Sequence, residues 1–138
     1  MYKVTFPELP ALNEYLQVTR SRYGYSAKIK KKFTNICEKS FITQLSSNDK
    51  LQYPYEFVFV WYAKNKRKDP DNISFAHKFI FDGMQKSGFM ENDNWSHILG
   101  ISDFYLLDKD NPHVDMYIIK PKEYQKLRDE FIEKELKR

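Results

Sequence analysis

The amino-acid sequence predicts a small domain of mixed α/β, or α+β, class, in which a mixed sheet packs with helices. Three observations predict this class. The 138 residues are enough to bury one hydrophobic core without disulfides, so residues 1–138 are expected to form a single domain. The run YEFVFVWYA is nearly all β-branched or aromatic, which is typical of a central strand buried on both faces. Segments with helical and strand patterns follow in the order β-α-β-α-β-β-α.

The segments before the central strand predict one strand and one long helix. YKVTF alternates along its length and predicts a first strand, which PELP ends. ALNEYLQVTRSRYGYS predicts a loop with some helix. From Ala27 to Gln44, apolar residues recur at helical spacing with lysines opposite, so this stretch predicts an amphipathic helix. SSNDKLQYP then breaks the chain.

A second helix is predicted from Ile73 to Ser87. Asn72 is a favourable N-cap residue, and Gly88 is a favourable residue just past the C-terminal end. The residues expected to face the core are Ile73, Ala76, Ile80 and Met84, with Phe79 and Phe81 beside them.

The last third of the chain predicts two strands and a helix. ISDFYLLD and HVDMYIIK predict strands that form a hairpin around DKDNP. KEYQKLRDEFIEKELKR, after Pro121, predicts an amphipathic C-terminal helix.

Composition argues against several classes of protein. Glycine is scarce, so a glycine-rich phosphate-binding loop is not expected. Cys37 is the one cysteine, which indicates a reducing compartment and a small buried side chain, and no Cys/His zinc pattern exists. The N-terminus lacks the apolar stretch of a signal peptide, and no apolar run reaches transmembrane length. We therefore expect a cytoplasmic protein without a membrane partner.

The net charge of +4 is unevenly distributed. One cationic cluster runs from Arg20 to Lys39, and a second, KNKRK, lies directly before two aspartates. Clustered cations are typical of proteins that bind a phosphate backbone, although a solvated face is the simpler interpretation. The candidate DNA-binding residues are Arg20, Arg22, Lys28, Lys30, Lys31, Lys32, Lys64, Lys66 and Arg67.

Residues 67–95 carry seven Asp and Asn side chains, of which six flank the second predicted helix and one, Asp82, lies within it. Asp69 and Asp71 are two residues apart, so in extended geometry their side chains face the same way, and Pro70 biases Asp69 away from helical dihedrals. Like charges so close repel each other unless a cation lies between them or one carboxyl is protonated. Mg²⁺ suits such all-oxygen ligands.

Helical spacing adds two further groups to this end of the protein. Lys78 and Asp82 are one turn apart, near the azimuth of Asp71, so Asp82 can hold the ammonium of Lys78 near the aspartates. After the helix the chain reverses, and ENDN can return Asp93 to the same point. The pattern therefore predicts a Mg²⁺ site of Asp69, Asp71 and Asp93 with Lys78 beside it. His77 is expected to pack or to be exposed rather than to act in chemistry.

A second interpretation of the same residues needs no metal. Asp71 and Asn72 then cap the helix, Asp93 and Asn94 form a turn, and Lys78 with Asp82 is a surface pair. Spacing alone does not decide between the two.

The segment resembles the RusA family of Holliday-junction resolvases, especially the forms found in phages and prophages. The motifs that carry the resemblance are KRKDPDN, KFIFD, QKSGF and ENDN, with a weaker match at LPALNEY. The resemblance runs from about Tyr2 to Ile119. Two features depart from the family pattern: five residues, ISFAH, separate Asn72 from Lys78, and Asn92 stands where the family has an acid.

The resemblance implies a RusA-like fold, a homodimer, and Mg²⁺-dependent hydrolysis of phosphodiester bonds at four-way DNA junctions by paired cuts, in recombination or repair. It implies that Asp69, Asp71 and Asp93 hold the metal, that Lys78 stabilises charge or organises water, and that Asp82 orients Lys78. A non-catalytic DNA-binding protein is the alternative, because Asn92 cannot carry charge. A third alternative is an interaction protein whose basic face meets an acidic partner.

Overall fold

The computed structural model describes residues 1–21 and 25–137. The elements in chain order are β1 (Tyr2–Pro7), α1 (Leu12–Ser21), α2 (Tyr25–Gln44), β2 (Tyr55–Ala63), α3 (Pro70–Ser74), α4 (His77–Ser87), β3 (Ile98–Leu107), β4 (His113–Ile119) and α5 (Pro121–Leu136). They form a mixed four-stranded sheet packed with helices, which confirms the predicted class. The candidate DNA-binding residue Arg22 lies outside the described residues.

The sheet has the strand order β1-β4-β2-β3. β4 pairs antiparallel with β1 and with β2, whereas β2 pairs parallel with β3. The central strand predicted from YEFVFVWYA is confirmed, since β2 has a neighbour on each side. Its side chains alternate between two cores: Phe57 and Phe59 contribute to one, and Val58 and Val60 to the other.

The predicted hairpin of the two later strands is wrong. β3 and β4 lie on opposite sides of β2, so residues 108–112 connect them past the end of β2. Adjacent strands in sequence usually pair, which is why a hairpin was the simplest expectation. Because β2 is buried, its backbone groups need hydrogen-bond partners along both edges, and β3 and β4 supply them.

Helices cover both faces of the sheet. α2 and α4 pack on the face that carries Phe57, Phe59 and Trp61, and α5 packs on the face that carries Val58 and Val60. The predicted core-facing residues of the second helix are buried in the first of these cores, apart from Ile73, which is half-buried: Ala76, Phe79, Ile80, Phe81 and Met84.

The helix predicted from residue 73 to 87 is two helices. α3 already begins at Pro70, because proline at the first helical position is favourable and Asp69 supplies the extended residue before it. The prediction of Asn72 as N-cap is therefore wrong, since Asp69 occupies that position. α4 ends at Gly88, whose φ of 87° is left-handed, and this end was predicted.

Candidate metal and nucleic-acid site

Asp69 and Asp71 lie at the start of α3, just beyond the C-terminal end of β2. Both side chains are exposed. Asp69 has extended backbone dihedrals and makes no side-chain capping hydrogen bond, and the Asp71 Oδ1 accepts the backbone N–H of Asn72 at 3.0 Å. The two carboxylates therefore face solvent, where a divalent cation can reach them. An exposed pair of oxygen donors of this kind fits Mg²⁺, which keeps several of its waters when bound to protein.

Lys78 is exposed on the first turn of α4, close in sequence to these carboxylates. Asp82, one turn later, forms its ion pair with Lys30 of α2, with 3.9 Å between Nζ and Oδ2. Asp82 thus links α4 to the basic helix, and its predicted role of orienting Lys78 stays a prediction.

Asp93 lies at the other end of the sheet from Asp69 and Asp71. It precedes β3, whose first residue, Ile98, pairs with the first residue of β2, whereas Asp69 follows the last. Between them α4 runs back along the sheet for eleven residues, or about 16 Å at 1.5 Å per residue. No group of three His, Cys, Asp or Glu side chains able to hold a metal ion occurs among residues 1–21 and 25–137. The three-carboxylate site stays a prediction, and one chain alone does not assemble it.

A further carboxylate, which the sequence motifs did not indicate, lies on β3. Asp103, in the middle of β3, accepts a hydrogen bond from the indole Nε1 of Trp61 at 2.8 Å. The same Oδ1 lies 2.6 Å from Nε2 of His77, the first residue of α4. The signal in the sequence was an aspartate inside the strand ISDFYLLD. Its position on β3 faces α4.

Tyr105 links this carboxylate to Asp71. Burial raises the pKa of the Tyr105 phenol, a hydrogen bond with the Ser74 side chain opposes that shift, and the negative charges of Asp103 and Asp71 add to it. The charges of both carboxylates therefore act on one phenol. Asp71, Ser74, Asp103 and Tyr105 thus form one group linked by charge and hydrogen bonding between α3 and β3.

The cationic side chains on both sides of the acidic segment are exposed. On α2 these are Lys28, Lys30, Lys31 and Lys32, and in the loop after β2 they are Lys64, Lys66 and Arg67; Arg20 at the end of α1 is exposed too. Lys68 is held by Glu14 of α1, with 2.7 Å between Nζ and Oε1. Burial would raise the pKa of Glu14, but the hydrogen bonds from Lys68 and the Ala11 backbone, with the Lys68 charge, lower it on balance.

β3 exposes a row of apolar side chains at the edge of the sheet. Leu99, Ile101 and Leu107 are between 44% and 51% exposed, and Trp95, just before the strand, is 96% exposed. β3 pairs with β2 alone among the described strands. An apolar edge strand with unpaired backbone groups is a site at which another strand can add.

No protein-family model matches the chain, and no curated protein matches it. No helix in the described part of the chain is long and apolar enough to span a membrane.

Proposed function

We propose that this chain is a Mg²⁺-dependent endonuclease that resolves four-way DNA junctions by paired strand cuts. The observation that supports this most is the position of Asp69 and Asp71, which directly follow the basic loop of residues 64–68. Both carboxylates are exposed, and the Asp69 side chain makes no capping hydrogen bond. A divalent ion neutralises such a pair, and the lysines and arginine before it attract the DNA backbone to the same place.

A second copy of the chain supplies the third carboxylate in this proposal. If the exposed edges of β3 from two copies pair antiparallel about a two-fold axis, the start of one β3 lies beside the end of the other. Asp93 of the partner subunit then approaches the end of the sheet where Asp69 and Asp71 lie. The same contact covers the apolar side chains of Leu99 and Ile101.

The chemistry follows from these positions. A bound Mg²⁺ supplies a polarised phosphoryl oxygen and a water of lowered pKa. Asp69 and Asp71 bind the ion, and Lys78 stabilises the negative charge that develops on the phosphate during attack. The α2 lysines hold the strand by phosphate contacts that do not read sequence. Because a four-way junction has approximate two-fold symmetry, a two-fold dimer presents one site to each of two opposed strands.

Asp71→Asn tests the proposal. In Mg²⁺, the variant should fail to cleave a labelled four-way junction, because a neutral amide is a weak ligand for a hard cation. In Ca²⁺, it should bind the junction as well as the unchanged chain or better, since a negative charge near phosphate is removed. Asp129→Asn, at an exposed position of α5 on the other face of the sheet, is the matched control and should cleave normally. Cleavage by Asp71→Asn at the unchanged rate contradicts the mechanism.

Mixing two inactive variants tests the shared site. Consider a heterodimer of Asp71→Asn and Asp93→Asn in which each metal site is shared between the subunits. One of its two sites then contains both substitutions, and the other contains neither. Mixing should therefore restore single-strand nicking. A site built within one chain leaves both sites altered, so the absence of nicking in a mixture shown to exchange subunits contradicts the cross-subunit arrangement.

A non-catalytic DNA-binding protein is the second candidate. Among the described residues of one chain, no three His, Cys, Asp or Glu side chains come together to hold a metal ion, which favours this candidate. Asn92, which stands where the family motif has an acid, favours it too. Junction binding without product at any Mg²⁺ concentration supports this candidate. Indifference to both junction and duplex at low salt would instead support a protein that binds an acidic partner.

A further inference from the structure

Two polar pairs join the corner between α3 and α4 to the edge strand β3. His77 contacts Asp103 at 2.6 Å, and the Ser74 side chain hydrogen-bonds the Tyr105 phenol. Ser74 and His77 lie on the two sides of the helical corner and both contact β3, and Asp103 and Tyr105 are two residues apart, so they lie on one face of the strand. We call these two pairs the corner link.

Asp103 is an acceptor in this arrangement. The indole N–H of Trp61 can only donate, so the Asp103 Oδ1 that it contacts at 2.8 Å accepts. We assign the hydrogen of the second contact to Nε2 of His77, which lies 2.6 Å from the same oxygen and donates to it. Hydrogen bonds to an ionised acceptor are about twice as strong as neutral ones. This bond therefore fixes the orientation of the imidazole.

The ring of His77 is also enclosed by aromatic side chains. The centroids of Phe59 and Trp61 lie 4.6 Å and 5.3 Å from it, both edge-on. The His77 side chain is 24% exposed, and that of Asp103 is 21% exposed. The pair is thus largely shielded from water, and its geometry is set by packing as well as by hydrogen bonding.

α3 depends on such an attachment. It has five residues and buries none of them, and a helix that short is not stable by itself. Its amides at Asn72 and Ile73 bond the Asp69 carbonyl at 3.0 Å and 3.1 Å, so α3 holds the backbone at Asp69. Asp71 lies one turn before Ser74, which is part of the corner link. Loss of the link would remove the polar contacts between this corner and β3 and leave α3 attached through the packing of Ile73 against the core.

We propose that Asp103 is a positioning residue of the nuclease site: through His77 it holds α3 against β3, so that Asp69 and Asp71 present their oxygens to the metal ion at one point. This inference rests on the proposed endonuclease function. It assigns His77 the same positioning role and no proton transfer. The partners of metal-binding groups commonly matter in this way, since their loss costs about 10–100-fold in metal affinity or activity.

Paired substitutions separate positioning from direct chemistry. Asp103→Val and His77→Leu remove the hydrogen bond, whereas Asp103→Asn keeps an acceptor and His77→Gln keeps a donor near the position of Nε2. The first two should lower junction cleavage by about 10–100-fold and raise the Mg²⁺ concentration at half-maximal rate, with junction binding in Ca²⁺ unchanged. The latter two should retain cleavage and Mg²⁺ dependence close to those of the unchanged chain.

Three results overturn the proposal. If His77→Gln loses as much activity as His77→Leu, the imidazole itself takes part in the reaction. If Asp103→Asn loses as much as Asp103→Val, the charge of Asp103 acts on the metal directly. If folded His77→Leu and Asp103→Val cleave with unchanged Mg²⁺ dependence, the corner link has no part in the site.

Hydrogen exchange tests whether Asp103 and His77 hold α3 in place, and it does so without a cleavage assay. In the free chain, without DNA or metal, the amides of Asn72 and Ile73 should exchange faster in His77→Leu and Asp103→Val, while the amides of β2 stay protected. Unchanged exchange at these amides overturns the positioning role. If the unchanged chain does not cleave at any Mg²⁺ concentration, the proposed function fails, and the exchange measurement still decides whether Asp103 positions α3.

Discussion

Gly83→Ala is the substitution whose cost the structure defines most sharply. Gly83 lies on α4 where that helix crosses α2. A Cβ added there would lie 2.6 Å from the Cβ of Cys37 and 2.7 Å from the backbone nitrogen of Glu38. Neither atom can rotate away, because one is the first side-chain atom and the other belongs to the backbone of a packed helix. The two helices would have to separate.

Two opposing contributions set the size of the effect. Replacing glycine by alanine inside a helix favours folding by about 1 kcal/mol. Overpacking a well-filled core costs about 1–3 kcal/mol, and the upper value applies here because the contacts involve backbone. The free energy of unfolding should therefore fall by about 2 kcal/mol.

Urea unfolding followed by circular dichroism measures this change. Gly100→Ala is the matched control: the added Cβ meets the end of the Glu56 side chain, which can rotate away, so its effect should be close to zero. Gly88→Ala isolates backbone strain, because nothing lies within 4 Å of the added Cβ but φ is positive, and it should cost about 1 kcal/mol. A Gly83→Ala variant as stable as the unchanged chain would show that α2 and α4 do not cross as closely as described.

Three further predictions concern charge and reactivity. Burial, with the negative charge of Asp82, raises the pKa of Cys37 to about 12. The thiol should therefore react with DTNB at pH 8 far more slowly in the folded chain than in denaturant. Equal reaction rates in the two states contradict the burial of Cys37. The lowered pKa of Glu14 stabilises the folded state above its ordinary pKa of 4.5, and this stabilisation is lost as the pH falls through the lower, folded value. The stability difference between the unchanged chain and Lys68→Ala should therefore disappear in acid, and a constant difference contradicts the ion pair. Lys31→Ala should reduce the slope of the logarithm of DNA affinity against the logarithm of salt concentration by about one phosphate contact. Lys30→Ala should reduce this slope by less, because Asp82 already pairs with Lys30. Equal slopes for the two variants argue against that ion pair in solution.

The elements with strong, long patterns could be predicted from the sequence. β2 is nine residues of β-branched and aromatic side chains, and α2 is twenty residues with apolar positions at helical spacing, so burial and periodicity agree along both. The end of α4 at Gly88 could be predicted too, because a left-handed residue at a helix end is nearly always glycine.

The break between α3 and α4 could not be predicted in the same way. Ile73, Ala76 and Ile80 keep helical spacing across it, so the pattern is that of one continuous helix. Residues on both sides of the break, Ser74 and His77, hydrogen-bond a strand that is distant in sequence. Asp103 was missed for a similar reason, since its contacts with Trp61 and His77 depend on tertiary structure and no local pattern indicates them.

The position of Asp93 shows why a local motif does not by itself assemble a site. β2 and β3 are parallel, so the chain that leaves the end of β2 near Asp69 must return along α4 to the opposite end before β3 can begin. Residues just before β3, Asp93 among them, are therefore placed far from those just after β2 in any chain with this topology. A three-carboxylate site built from Asp69, Asp71 and Asp93 then requires a second copy, and Mg²⁺-dependent cleavage should fall with the square of concentration where the dimer dissociates. Cleavage that stays proportional to concentration when the chain is monomeric by ultracentrifugation would contradict the shared site.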